Sequence, residues 1–319
     1  MTQRNKNLLL LILLAVLWGP SFLLIKVAVA EIPPITLIVG RVGLAAVLLY
    51  LLLRLSGGNL PRPGRIWIPL AIVAIFQTAF PFVLLSWAEQ HIDSALAAIL
   101  NGLTPLFTIL LAHLLTTDDR LTPAKAAGIA LGLVGVLFFV APSLGSGVQA
   151  STLGILAMIV VAASYGFAVV FARKRLNHLP SLVTPAGQLI LSTLFLLPFM
   201  MVIDQPFNQP TPSLQAIGAV VALAIFGTAL AFVVYFRLLK SAPASYVSMV
   251  TYLVPVIGVL LGVIVLGERL AWNDFAGFGL ILLGVLIVNG AFRNLHLPRS
   301  RAQATSAVSP SPQRSNKAS

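Results

Sequence analysis

Long apolar stretches separated by short polar or charged segments make up most of the chain. Each is about 20 residues long, the length an α-helix needs to cross a hydrocarbon core of roughly 30 Å. The pattern predicts an all-α integral membrane protein. Its ten predicted spanning helices lie at 8–29, 34–55, 66–87, 94–115, 123–141, 152–172, 182–203, 214–237, 244–267 and 272–292.

The two halves of the chain resemble each other at a nearly constant offset. Each predicted half contains five helices, and because five is odd, the halves should lie in the membrane in opposite orientations. Inverted repeats around a midplane site recur in secondary transporters. The matched positions are Trp18-Gly19 and Tyr165-Gly166, Lys26 and Arg173, Phe76 and Phe226, Thr78-Ala79 and Thr228-Ala229, Phe82 and Phe232, and Pro105 and Pro255.

The repeat divides the chain into five predicted segments. The tail is rich in Ser, Pro, Gln and Arg and has too few apolar residues to form a core, so we expect it to be disordered. Lys26 interrupts the first apolar stretch, which is also longer than a signal-peptide core, so we expect a retained span. The segments are a cytoplasmic N-terminus (1–7), a first five-helix repeat (8–141), a connecting loop (142–151), a second five-helix repeat (152–292) and a basic cytoplasmic tail (293–319).

Composition and charge support a membrane location. The chain is 59% hydrophobic and 9% charged, whereas soluble domains have about 25% charged residues. With the N-terminus inside, 17 of the 20 Lys and Arg residues fall on the cytoplasmic side, as the positive-inside rule requires. The net charge of +12 therefore indicates orientation in the cytoplasmic (inner) membrane, with both termini inside, and not a nucleic-acid partner. The absence of cysteine excludes disulfides and thiol chemistry.

Three motifs resemble the bacterial EamA-type branch of the drug/metabolite transporter superfamily. They are WGPSFLLIKVAVAEIPPITLIVGR at 18–41, a proline in the fourth and ninth predicted helices, and LGERL at 266–270. The resemblance covers residues 8 to 292 and departs from the family at Pro20 and at Asp118-Asp119. It implies ten helices around a central cavity, alternating exposure of the substrate to the two sides, and in many members export of metabolites, amino acids among them.

Two cations on either side of the turn between the first two predicted helices are candidates for anion recognition. Arg41 lies about two turns into the second predicted helix, where a charge is costly and usually functional. Lys26 approaches from the adjacent helix across the turn at Pro33-Pro34. Together they could bind a substrate carboxylate or phosphate. Alternatively, Glu31 and helix carbonyls neutralise them structurally.

The sequence WGPSF at 18–22 predicts a helix break, because Pro20 removes a backbone hydrogen bond. In lipid the freed carbonyl must face the protein interior. We expect Ser21 or a water to cover it and Trp18 to form one wall of the cavity. The alternative is a kink that packs Gly19 against a neighbouring helix.

Other polar residues at span depth have two interpretations, cavity lining or interhelical hydrogen bonding. Cavity lining gives a predicted substrate-binding set of Trp18, Ser21, Lys26, Arg41, Gln77, Asn101, Tyr165, Gln188, Thr228, Tyr246 and Tyr252. The glycine-rich fifth and tenth helices are predicted to form close-packing faces. Glu268-Arg269 is predicted to be an ion pair at a helix end.

These features predict a secondary carrier of small organic solutes, and the family resemblance implies that it is an exporter of metabolites such as amino acids. The alternatives are a flippase or exchanger for phosphorylated or lipid-linked compounds, and an intramembrane enzyme. An enzyme is not expected, because the chain has no HExxH, no GxSxG and no deep acid pair. No GxxxxGK[ST] loop is present, so an ATPase of its own is excluded.

The acids are placed so that a proton-driven mechanism is not favoured. None lies deep in a predicted span, although Glu31 and Glu89 could titrate near the mouth of the cavity. We expect no cofactor and no metal. The expected partners are a small-molecule substrate and the lipid bilayer, and the expected assembly is a monomer or a homodimer.

Overall fold

The computed structural model describes residues 3–115, 121–144, 150–241, 247 and 250–288. Within these ranges the regular secondary structure is helical and no strand occurs. The α-helices are α1 Gln3–Trp18, α2 Ser21–Val29, α3 Pro34–Leu55, α4 Trp67–Val73, α5 Phe80–Ala88, α6 Ser94–Asn101, α7 Thr104–Leu115, α8 Pro123–Leu144, α9 Ala150–Leu176, α10 Val183–Phe199, α11 Leu214–Ala224, α12 Ala231–Ser241, α13 Val250–Leu266 and α14 Trp272–Val288.

Seven helical segments are long and apolar enough to cross a membrane. Three shorter apolar helices, Pro123–Phe138, Leu253–Leu266 and Trp272–Ile287, lie at the remaining predicted positions. The chain is therefore a multi-pass membrane protein. The seven segments are Asn5–Val29, Pro34–Leu55, Trp67–Ala88, Ser94–Leu115, Ser151–Leu176, Val183–Asn208 and Leu214–Ser241.

Several spans are interrupted within their length. The first is broken between α1 and α2 at Gly19 and Pro20, as the sequence predicts. A π-helical segment, Met200–Asp204, follows α10. Two further π-helical turns, which the sequence did not predict, lie within spans: the first at Ala74–Ala79 between α4 and α5, and the second at Ile225–Leu230 between α11 and α12. These two turns fall at corresponding positions of the two halves. Such turns widen the helix by one residue and frequently occur at functional sites.

The prolines of the fourth and ninth predicted helices behave differently. In the first half, α6 ends at Asn101, and α7 begins again with Thr104 and Pro105. Pro105 is thus in the first turn of a helix, where its missing N–H has no cost. In the second half, α13 continues through Pro255. The equivalent prolines therefore do not produce equivalent breaks.

Packing partners follow the internal repeat. Helices at corresponding positions pack against each other: α3 with α10, α6 with α13, and α8 with α14. In the same way, α1 and α2 pack on α12 and α11, while α9 packs on α5 and α4. Exchanging the two halves therefore leaves this set of helix contacts unchanged.

Glycines permit the closest helix contacts. A Cβ added at Gly284 of α14 would overlap the carbonyl oxygen of Gly128 and lie 2.8 Å from the Gly132 nitrogen in α8. A Cβ at Gly135 would lie 2.7 Å from the carbonyl oxygen of Gly277. The prediction that the glycine-rich helices form close-packing faces is confirmed, and each is the other's partner.

The glycines of the WG and YG motifs occupy equivalent contacts. A Cβ at Gly19 would overlap the side chain of Ile257 in α13, and a Cβ at Gly166 would lie 2.8 Å from the Thr108 nitrogen in α7. The contact expected of Gly19 under the close-packing interpretation of the Pro20 break is therefore present. Of the two groups expected to cover the freed carbonyl, Ser21 does not, because its buried hydroxyl has no hydrogen-bond partner; the water stays a prediction.

Three carboxylates join the two halves at one end of the bundle. The side chain of Glu31 accepts bonds from the nitrogen and hydroxyl of Ser213, at 2.6 and 2.7 Å. Asp204 accepts bonds from the nitrogen and hydroxyl of Thr36, at 2.6 and 2.9 Å. In each case the carboxylate belongs to one half, and the first helical turn whose N–H group it accepts from belongs to the other half. The N–H groups of a first helical turn lack intrahelical partners and favour negative charge.

Glu268 is the third of these carboxylates, and its contacts correct the predicted ion pair with Arg269. Its two oxygens accept bonds from the Ser94 nitrogen and hydroxyl, at 2.8 and 2.7 Å, and from the Ala95 nitrogen at 2.9 Å. The physical reason is the same: the first turn of α6 offers unpaired N–H groups. These bonds tie α6 of the first half to the end of α13 in the second.

Candidate functional site

Arg41 is the centre of the candidate site. It lies on α3, its side chain is 4% exposed, and it is held by the second half of the chain. Its Nε donates to the Thr228 hydroxyl at 2.8 Å, and its Nη2 donates to the Gly227 carbonyl at 3.4 Å. Its Cζ lies 4.1 Å from the centre of the Phe82 ring, a cation–π contact. These contacts offset part of the cost of burying the charge.

The second π-helical turn positions the partners of Arg41. The Thr228 hydroxyl donates to the Leu223 carbonyl at 2.9 Å while it accepts from Arg41. A Cβ at Gly227 would lie 2.7 Å from the Ser21 hydroxyl, so only glycine allows this approach. We define the arginine cluster as Ser21, Arg41, Phe82, Gly227 and Thr228. Its Ser21 hydroxyl is buried and has no protein partner.

The first π-helical turn carries a related but uncharged arrangement. Thr78, the repeat mate of Thr228, donates to the Ala74 carbonyl at 2.7 Å, and its hydroxyl contacts that of Ser192 on α10. Ser192 also donates to the Ala74 carbonyl at 2.9 Å. Gln188, the repeat mate of Arg41, lies one turn before Ser192 and is fully buried. The two halves thus place different chemistry at equivalent positions.

Three side-chain amides in the first half or on α10 have buried polar atoms without hydrogen-bond partners. Neither polar atom of the Gln188 side chain has a hydrogen-bond partner, nor does the buried Oε1 of Gln77. Asn101, half-buried at the end of α6, has an unpartnered Oδ1. A buried polar group without a partner costs about 1–3 kcal/mol. These atoms are therefore free to hydrogen-bond a polar ligand or a water.

Aromatic residues flank the arginine cluster. Tyr165 on α9 packs edge-on against Phe82, with ring centres 6.4 Å apart, so it is the next ring beyond Arg41. Trp18, its repeat mate, packs against Tyr235 on α12 at 5.5 Å. Trp18 and Tyr165 therefore contact equivalent helices of opposite halves. The predicted pairing of these residues in the repeat has a structural counterpart.

Lys26 is held away from Arg41 by backbone carbonyls. Its Nζ donates to the carbonyls of Glu89 at 2.6 Å and Ile92 at 2.8 Å. The Glu89 carbonyl lies at the C-terminal end of α5, where a helix favours a cation, and Ile92 lies in the turn that leads to α6. Of the two predicted neutralising groups, the helix carbonyls are present, whereas Glu31 binds Ser213 instead. A cation pair formed by Lys26 and Arg41 is not observed.

Two residues of the site were not predicted from the sequence, and two predicted residues lie outside the described part of the chain. Phe82 and Gly227 belong to the arginine cluster but were not predicted; the recurrence of Phe82 as Phe232 was the available signal. Tyr246 and the side chain of Tyr252 lie outside the described residues. Within the described ranges, no group of three or more His, Asp or Glu residues could hold a metal ion.

Comparisons with known proteins cover most of the chain. A family model described as the EamA-like transporter family matches residues 5–141 and 152–290. An uncharacterized transporter of Archaeoglobus fulgidus is 28% identical over 287 residues, 89% of this chain and 98% of its own. The uncharacterized inner membrane transporter YedA of Escherichia coli K12 is 26% identical over 276 residues, 86% of this chain and 88% of its own.

Two further matches agree. The uncharacterized transporter YoaV of Bacillus subtilis is 26% identical over 283 residues, 88% of this chain and 96% of its own. A solved structure described as "Crystal structure of protein" covers 90% of this chain and 99% of its own, with a TM-score of 0.66 and 21% identity. At that identity the likeness concerns the fold alone.

Proposed function

Because this chain belongs to the EamA-like transporter family, we propose that it is a secondary transporter that exports small organic metabolites, such as amino acids, across the cytoplasmic membrane by alternating access. Its relatives are named transporters. A family of transporters and a multi-pass helical fold support a carrier over an intramembrane enzyme.

The proposed architecture has ten spans in two inverted five-helix repeats, with both termini cytoplasmic and the substrate held between the repeats. Seven long and three shorter apolar helices at the predicted positions support the span count. The symmetric helix packing supports the repeat. The positive-inside distribution supports the orientation.

The single observation that carries the proposal is the arginine cluster. Arg41 is buried, with 4% of its surface exposed, yet among the described residues its hydrogen bonds go to neutral groups, Thr228 and Gly227. Its positive charge is therefore not neutralised by a bonded acid. A buried guanidinium in this state suits a substrate carboxylate, which it can bind with two parallel hydrogen bonds.

The rest of the proposed substrate site follows from the same logic. The unpartnered atoms of Ser21, Gln77, Asn101 and Gln188 would hydrogen-bond the substrate. Trp18 and Tyr165 would contact its apolar parts. The complete proposed set remains Trp18, Ser21, Lys26, Arg41, Gln77, Asn101, Tyr165, Gln188, Thr228, Tyr246 and Tyr252.

A second candidate is a flippase or exchanger for phosphorylated compounds. The same observation favours it, because a guanidinium binds phosphate as it binds carboxylate. The two candidates differ in which labelled compound the protein moves.

Uptake into proteoliposomes tests both candidates. The panel is a neutral amino acid, an acidic metabolite and a phosphorylated sugar, each with and without unlabelled compound inside. Saturable uptake stimulated by internal amino acid supports the metabolite carrier, and uptake of only the phosphorylated sugar supports the exchanger. Failure of every compound with monodisperse protein contradicts both.

A further inference from the structure

Glu89 is an acid completely enclosed by protein. It follows Ala88, the last residue of α5 and of its span, and it has no exposed surface. Neither carboxylate oxygen has a hydrogen-bond partner. An ionised carboxylate here would lose its hydration and gain no hydrogen bond in return. The site therefore fits the neutral, protonated form of the side chain.

The charged groups around Glu89 come from every element packed against it. Lys26 approaches from α2 and Arg41 from α3, and both favour the ionised form. Glu268, at the end of α13, favours the protonated form. On α9 the neighbour is Gly154, beside Ala88 and His91, and the charged residues of that helix, Arg173, Lys174 and Arg175, lie in its last turn.

The balance among these influences favours protonation. Burial raises the pKa of Glu89 well above its ordinary range, more than Lys26 lowers it. The Lys26 ammonium is occupied by two backbone carbonyls and does not bond the carboxylate. In the same loop, His91 contacts the Trp87 carbonyl through Nδ1, and Asp93 precedes α6. None of these groups supplies a hydrogen bond to Glu89.

The burial of Glu89 depends on contacts between the two halves. The bonds of Glu268 to Ser94 and Ala95, and of Glu31 to Ser213, close the same end of the bundle that contains Glu89. Lys26 ties the loop after α5 to α2. If these contacts separate during transport, water reaches the Glu89 carboxyl group. Hydration then lowers the free-energy cost of its ionised form.

We propose that Glu89 is a proton-binding site and that this end of the transporter closes only when Glu89 is protonated. When the end is open, a carboxylate oxygen accepts a proton from water in the outer solution and forms an O–H bond. Closure buries the neutral acid. When the opposite end opens and water in the cavity reaches the carboxyl group, its O–H bond breaks and the proton passes to that water on the cytoplasmic side. Substrate export is thereby coupled to inward proton movement. This inference rests on the proposed transport function.

The enclosure of Glu89 also distinguishes the proton from a competing ligand. The ammonium group of an amino-acid substrate would pair with a carboxylate too, but it needs room beside it, and the Glu89 side chain has no exposed surface. A proton needs no additional volume. Direct substrate binding is therefore treated as an outcome of the test.

The first measurement detects the proton without any substrate. Infrared spectra of the purified full chain at neutral pH should contain the carbonyl stretch of a protonated carboxylic acid. Glu89→Gln should remove this band. The matched control Glu31→Gln should keep it, because Glu31 is exposed and hydrogen-bonded. A spectrum without the band, or a band unaffected by Glu89→Gln, would overturn the proposal.

The second measurement separates coupling from substrate binding. In proteoliposomes, Glu89→Gln should still exchange the panel compound that the wild type transports. The accumulation of that compound under an imposed pH gradient should fall at least tenfold. Glu89→Asp should restore part of the accumulation. Since glutamine has nearly the shape of the neutral acid, folding should be preserved, which size-exclusion chromatography checks.

Other results contradict the inference in distinguishable ways. Accumulation by Glu89→Gln equal to the wild type shows that Glu89 carries no coupled proton. Equal loss of exchange and accumulation shows a direct substrate contact instead. If the wild type moves no panel compound, the proposed function fails, while the infrared band still decides whether Glu89 holds a proton.

Discussion

At the scale of single residues, the proposed function depends on two charges whose surroundings differ sharply. Arg41 and Lys26 are both cations in the first two spans, yet Lys26 is satisfied by helix-end carbonyls and Arg41 by a hydroxyl, a carbonyl and a ring. The sequence placed Arg41 at membrane depth. It could not identify Thr228 as its partner, because the two residues are 187 positions apart.

Arg41→Gln is expected to abolish transport of an anionic substrate. Loss of a buried charge-assisted contact costs about 2–5 kcal/mol, which corresponds to more than tenfold in transport rate. Arg41→Lys should not restore transport, because an ammonium cannot reproduce the planar fork of a guanidinium. The measurement is initial uptake into proteoliposomes at equal amounts of monodisperse protein.

Arg54→Gln is the matched control for this experiment. Arg54 lies on the same helix, in its last turn, and is exposed. It should transport as the wild type does. Normal transport by Arg41→Gln would rule out anion recognition by Arg41.

The Glu31–Ser213 contact predicts a loss of stability on acidification. Hydrogen bonds from the Ser213 backbone and side chain lower the pKa of Glu31 in the folded protein. A lowered pKa stabilises the fold above the ordinary glutamate pKa, about 4.3, and this contribution disappears as the pH falls through the lower folded value. Thermal unfolding of wild type and Glu31→Gln should therefore differ at neutral pH and converge in acid. A gap independent of pH would contradict this.

At the scale of helices, local sequence decided where elements lie and distant partners decided their finer shape. The break at Pro20 and the glycine contacts of α8 and α14 were predictable, because proline chemistry and missing side chains act locally. The π-helical turns were not, since their threonines bond to residues of other helices. Nor was the uninterrupted α13 at Pro255.

Gly284→Ala should destabilise the contact between α8 and α14. The added methyl would overlap the Gly128 carbonyl of the facing backbone, and such overpacking costs about 1–3 kcal/mol. Gly279→Ala on the same helix meets nothing within 4 Å and should be neutral or slightly stabilising, because alanine favours helix. Denaturant unfolding in detergent compares the two; equal stabilities would show that this contact is not close-packed.

At the scale of the whole molecule, the two halves are joined by equivalent helix contacts but carry different polar groups. Arg41 faces the second π-helical turn, whereas its repeat mate Gln188 is neutral. The architecture is thus symmetric and the chemistry is not. A substrate with one charged end would bind in one orientation between the halves.

The absence of native cysteine makes the proposed orientation directly testable. Thr211→Cys, between α10 and α11, should react with a membrane-impermeant maleimide in intact cells. Asn177→Cys, after α9, should react only after permeabilisation. Both positions are exposed, and the wild-type chain is the unlabelled control. Labelling of Asn177→Cys in intact cells would contradict the positive-inside assignment.

The pattern of residues along the chain was sufficient to identify the helical membrane class, the positions of the apolar helices and the internal repeat, and to predict the depth of Arg41. These features depend on bilayer thickness and on residue spacing along one chain, which any reader of the sequence can count. Only the tertiary structure decided that Glu268 caps α6, that Thr228 holds Arg41, and that Glu89 is enclosed without a partner. Each of these depends on which helices meet, because hydrogen bonding and desolvation act between residues that the sequence keeps far apart.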